Sequence, residues 1–94
     1  MVTVGMQYRV VPEKQEEFVG VFDEILAAMK GTPGHHDTRL FREVGEPRNF
    51  YILSHWDTED AYHAFVRGEA MDRILTGAHG KLLDGRPQHK VYYP

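Results

Sequence analysis

The chain has 94 residues, with eleven Lys and Arg, fourteen Asp and Glu, six His and no Cys. An apolar share of 41% beside 27% charged residues is ordinary globular composition, and the lack of Cys excludes disulfide frameworks, thiolate metal sites and thiol nucleophiles. A formal charge of −3 argues against a nucleic-acid partner, and no apolar run nears the ~18 residues of a membrane span, so residues 1–94 are expected to form one soluble cytoplasmic domain with no signal peptide.

Residues 2–11 alternate, with Val2, Val4, Met6, Tyr8 and Val10 on one face and Thr3, Gly5, Gln7 and Arg9 on the other, which predicts a strand. Pro12 suits the first turn of a helix, and Glu13, Glu16 and Glu17 suit the positive end of its dipole. Phe18, Phe22, Ile25, Leu26 and Met29 then form an amphipathic stripe that ends before Gly31 and the Thr32-Pro33-Gly34 turn.

A second strand is predicted from about His35 to Val44. Strict alternation places His36, Thr38, Leu40 and Arg42 on one face and His35, Asp37, Arg39 and Phe41 on the other. After the turn at residues 45–49, the run from Phe50 to Trp56 is apolar on both faces, as in a strand covered on both sides. Asp57 or Thr58 caps a second helix whose buried stripe is Ala61, Tyr62, Phe65 and Val66. A short helix over 69–76, a Gly-flanked loop containing His79, the turn Asp84-Gly85-Arg86-Pro87 and a last strand from Gln88 to Tyr93 complete the reading.

This order, β-α-β-β-α-β, is the ferredoxin-like split βαβ of the α+β class. Two helices cover one sheet face, and 94 residues supply nothing for the other. A second copy of the chain is the simplest cover, so a homodimer with sheets face to face is expected.

Protonating all six His would carry the formal charge from −3 to +3, but the pattern does not gather them into one site. His35 and His36 point to opposite faces if the alternation is unbroken, and no HxxxH or HExxH spacing exists, so no metal site is predicted. His36 is a candidate cavity residue, and His79 a candidate in a loop that suits a lid. His55 is read as interior or at a dimer contact, and His63 and His89 as surface. Trp56 and Tyr62 are large aromatics suited to a core, with Tyr62 alternatively a phenol that hydrogen-bonds an oxygenated aromatic ligand. Arg86 suits either an acidic ligand group or a partner subunit.

Several stretches together resemble the antibiotic biosynthesis monooxygenase family of dimeric α+β barrels. They are Val11-Pro12 before a Glu-rich helix, Pro33-Gly34 leading into Arg39-Leu40-Phe41-Arg42, and His55-Trp56-Asp57-Thr58-Glu59-Asp60-Ala61-Tyr62 with Phe65 beyond. Some members of that family oxidise aromatic polyketide phenols without a cofactor, and others bind and cleave haem. The resemblance implies a small monooxygenase acting on an aromatic or quinone-like molecule held between sheet and helices. It places His36, Tyr62 and His79 as catalytic candidates and Tyr8, Trp56 and Phe65 as substrate-binding candidates. The spacing of Trp56 and Tyr62 matches the polyketide oxygenases, although Ile52 replaces an Asn and Arg73 is an approximate stand-in for the family Arg. On the haem-degrader pattern Gln7 replaces an Asn, Phe65 replaces a Trp, and the axial His position falls near Ile74, with His79 about five residues beyond. No cofactor is therefore expected, with a dimer binding haem or another hydrophobic ligand without turnover as the alternative.

Overall fold

The computed structural model describes residues 1–69 and 82–93. Strand β1 runs Val2–Arg9, β2 His35–Arg42, β3 Asn49–Trp56 and β4 Gln88–Tyr92. Helix α1 spans Gln15–Met29 and α2 spans Glu59–Val66. The strands form one antiparallel sheet in the order β2-β3-β1-β4, so the ferredoxin-like α+β arrangement predicted from the sequence is the one observed. The short helix predicted over 69–76 falls almost wholly outside the described residues.

Pro12 opens a single 3-10 turn, Pro12–Lys14, rather than the α-helix itself, which follows at Gln15. The buried stripe of α1 is Phe18, Val21, Phe22, Ile25 and Met29, rotated slightly from the predicted one, so that Val21 is buried and Leu26 only partly so. Of the two residues expected to cap α2, Thr58 does so, accepting a hydrogen bond from the Ala61 N–H at 3.1 Å.

Strand β3 divides the molecule. Phe50, Ile52, Ser54 and Trp56 are buried toward the helices, while Asn49, Tyr51, Leu53 and His55 point to the other face and are only half-buried. That open face also carries Phe41 and Tyr92, 48% and 50% exposed, large apolar groups with no described element over them. A depression of about 440 Å³ lies there, lined among others by Gly5, Phe41, Tyr51, Leu53 and Tyr92.

The junction of β2 with α2 depends on Gly34. Its φ of +85° lies in the region only glycine enters freely, and an added Cβ would stand 2.7 Å from the Ala61 Cβ. Its carbonyl accepts the Asp57 N–H at 2.7 Å, tying the start of β2 to the start of α2. Gly34→Ala combines a strained φ with a steric clash and should cost about 3 kcal/mol. Thermal denaturation should show a Tm lower by roughly 10 °C or more. An unchanged Tm would mean that this contact is looser than described.

Candidate functional site

Under the helices the apolar interior is two clusters rather than one. The first comprises Val2, Val4, Val21, Ile25, Met29, Trp56, Tyr62 and Phe65. The second comprises Val10, Phe18, Phe22, Phe50 and Ile52. Met6 packs against both, and Leu82 and Leu83 split between them, so a seam crosses the inner face of the sheet at Met6.

Two phenols meet at this seam. Tyr62 enters from α2 and donates its hydroxyl to the Met6 sulfur at 3.2 Å, a soft and weak acceptor. Tyr8, two residues along β1 from Met6, packs its ring on Phe18 at a centroid distance of 5.4 Å. Its hydroxyl has no hydrogen-bond partner among the described residues. Burial pushes the Tyr8 phenol well above the ordinary tyrosine pKa, with the proximity of Tyr62 adding to the effect, and burial raises Tyr62 as well. Both therefore stay protonated across the physiological range, as hydrogen-bond donors. A ligand oxygen placed at the seam would supply the missing acceptor.

The other aromatic candidates form the wall behind Tyr62. Trp56 is fully buried, and its ring meets Tyr62 at 6.0 Å and Phe65 at 5.8 Å between centroids. Its indole N–H donates to Ser54 Oγ at 3.0 Å, and Ser54 in turn reaches the Val4 carbonyl at 3.5 Å. Trp56 is thus satisfied within the core and acts on the site through the position it gives Tyr62.

The histidines are placed differently from the alternation reading. A bulge between His35 and Asp37 leaves His36 without a cross-strand partner and shifts the strand register by one residue. His35, not His36, turns inward with Thr38 and Leu40, its ring 4.9 Å from that of Trp56 and its Nε2 2.7 Å from Thr38 Oγ1. Burial holds the His35 pKa below the usual histidine value. His36 is exposed, with its Nε2 2.5 Å from Asp57 Oδ1. His55 pairs with Asp37, which that hydrogen bond holds below the ordinary carboxylate pKa, and His63 pairs with Glu59 at 3.1 Å. His79 lies outside the described residues.

Among the described residues no three His, Asp or Glu side chains converge as a metal-binding set. The inward His35 does not fit an axial haem ligand, since its Nε2 meets Thr38 Oγ1 and its ring packs on Trp56. Sequence reasoning missed His35 because a bulge breaks the period-two rule, and the one local signal for it was the Gly34 turn immediately before.

The antibiotic biosynthesis monooxygenase family model matches residues 1–76. A Natronomonas pharaonis protein, named provisionally as haem-binding, is 33% identical over 87 residues, covering 93% of this chain but only 14% of its own length. The chain thus spans about a seventh of that relative. A Bacillus subtilis protein, named provisionally as a monooxygenase, is 31% identical over 61 residues, covering 65% of this chain and 64% of the relative. Among solved structures, a cofactor-independent oxygenase of Streptomyces nogalater superposes with a TM-score of 0.82 at 19% identity, covering 99% of this chain and 91% of the other. This last likeness shows the fold.

The placement of His35 is open to direct measurement. Because its folded pKa is depressed, its packing stabilises the protein above the unfolded value of about 6.5 and is lost as pH falls through the folded value. An NMR titration should show the His35 ring titrating below 6.5, with folding stability declining from pH 7 toward pH 5. A His35 midpoint at or above the ordinary value would place its ring in water instead.

Proposed function

The chain belongs to the antibiotic biosynthesis monooxygenase family, and on that premise we propose that it is a cofactor-independent monooxygenase of a small phenolic aromatic held at the Met6 seam. The observation that carries this reading is the pair of desolvated phenols there, one donating only to a thioether and the other to no described group. Tyr62 and Tyr8 hydrogen-bond the substrate oxygens, while Trp56 and Phe65 hold the Tyr62 ring in place. Of the two His bases the sequence offers, His36 is exposed beside Asp57, which leaves His79 as the base of this proposal.

In the proposed reaction the base takes the phenol proton, and the electron-rich phenolate reacts with dioxygen at the ring carbon opposite the hydroxyl. The resulting hydroperoxide loses water across its C–H and O–O bonds. One oxygen atom stays as the second quinone carbonyl, the other leaves as water, and the base returns its proton. The two phenols stabilise charge on the substrate oxygen as it shifts, without themselves ionising. The apolar walls of the seam keep bulk water from competing. The partner in this reading is a second copy of the chain, which would cover the open face of the sheet.

A naphthol with a free ring position opposite its hydroxyl is a suitable probe. Under air it should give the quinone with one atom of isotopically labelled dioxygen incorporated, and none should form without oxygen. Tyr62→Phe should lower kcat/KM at least about tenfold, the loss of one hydrogen bond to a charged oxygen. Equal turnover with and without oxygen, or an unaffected Tyr62→Phe, would sink the proposal.

Haem binding is a second reading, favoured by the provisional name of the Natronomonas pharaonis relative. That protein is several times longer, so its haem can belong to either the matched segment or the remainder. Titration with hemin separates the readings. The oxygenase reading expects no saturable Soret shift, whereas a sharp band lost in His79→Ala would establish haem ligation in its place.

A further inference from the structure

At the margin of the open sheet face a second, polar cleft of about 430 Å³ is lined by Gln7, Arg9, Glu46, Asn49, Asp84, Gly85, Arg86 and Gln88. Its chemistry is unlike that of the seam. Asp84 is neutralised by Arg48, whose Nη2 donates to it. The Arg48 Nε is buried with no acceptor. Neither Arg9 nor Arg86 makes an ion pair with any described residue, and both are exposed to solvent.

The cleft therefore holds two uncommitted guanidiniums and three side-chain amides against a single unpaired carboxylate, Glu46. We propose that it binds a small oxyanion, a phosphate or carboxylate group, clamped between Arg9 and Arg86. A guanidinium presents a planar fork of N–H donors that matches two oxygens of such a group, and two forks facing one cleft suit a tetrahedral or bidentate anion. Gln7, Asn49 and Gln88 supply neutral donors for the remaining oxygens. Glu46 on the same wall repels the anion, so affinity is set by a balance that single substitutions can tip either way. This site shares no lining residue with Tyr8 or Tyr62 and stands independently of the oxygenase reading.

Line broadening of inorganic phosphate in phosphorus NMR, at constant ionic strength, tests the proposal. Broadening should saturate in the millimolar range. Arg86→Gln should weaken binding at least about tenfold, and Glu46→Gln should tighten it about threefold. The two variants move affinity in opposite directions, so general unfolding cannot imitate the pattern. Equal binding by wild type and Arg86→Gln, or no saturation, would overturn it. So would a loss of dimer mass in light scattering with both variants while phosphate affinity stays unchanged. That outcome would give the cleft to the charged side chains of a second copy.

Discussion

A sheet has two faces, and in the described residues both helices pack on the same one. This constraint organises everything else in the molecule. It places Phe50, Ile52, Ser54 and Trp56 of β3 in a dry interior and leaves Tyr51 and Leu53 of the same strand facing outward. Burying apolar area stabilises by roughly 25 cal/mol per Å², so rings left exposed at Phe41 and Tyr92 are unrealised stability. The inner face answers by closing around its own core. The outer face is left to be closed by something else.

The inner core is built as two clusters, and Met6 bridges them beside the two buried phenols. Met6 belongs to neither cluster alone and meets the Tyr62 hydroxyl through a soft sulfur. A flexible thioether can yield to an entering ligand more readily than a branched side chain. Tyr8 and Tyr62 are partly desolvated without a full return in hydrogen bonds, and it is on this imbalance that the proposed binding of an oxygenated aromatic rests. The outer margin uses the opposite device, with charges held near water at Arg9 and Arg86. In the two proposals one face selects by shape and burial, and the other margin by charge.

Much of the fold was legible because each element carried its own period. The 3.6-residue spacing of Phe18, Phe22, Ile25 and Met29 and the alternation of Val2, Val4 and Val10 both mark residues that are buried. The double apolar character of β3 also signalled a sheet face in need of cover. Less of the site was legible. Tyr62, Trp56 and Phe65 do lie together, yet what separates them into a wall and a donor is the Ser54 hydrogen bond and the Met6 contact, which no spacing encodes. The histidine assignment failed at a single residue. One bulge at His35/Asp37 exchanged the faces of His35 and His36, and period-two reasoning has no means to anticipate such an insertion. Arg9 and Arg86 are far apart in sequence, and the pairing of Gln7 with Gln88 together with the Asp84 N–H donated to the Arg9 carbonyl brings them to one cleft.

The central claim is that the two sheet faces hold different occupants, a phenolic ligand within and a second copy of the chain without. The tyrosines report on both, since Tyr8 and Tyr62 lie inside and Tyr51 and Tyr92 line the open face. Carbon NMR of ring-labelled tyrosine, recorded without oxygen, can follow all of them in one sample. Added naphthol should shift Tyr8 and Tyr62 while Tyr51 and Tyr92 stay fixed, and dilution should shift Tyr51 and Tyr92 alone. A ligand that moves Tyr51 and Tyr92 and leaves Tyr8 and Tyr62 unmoved would contradict the account.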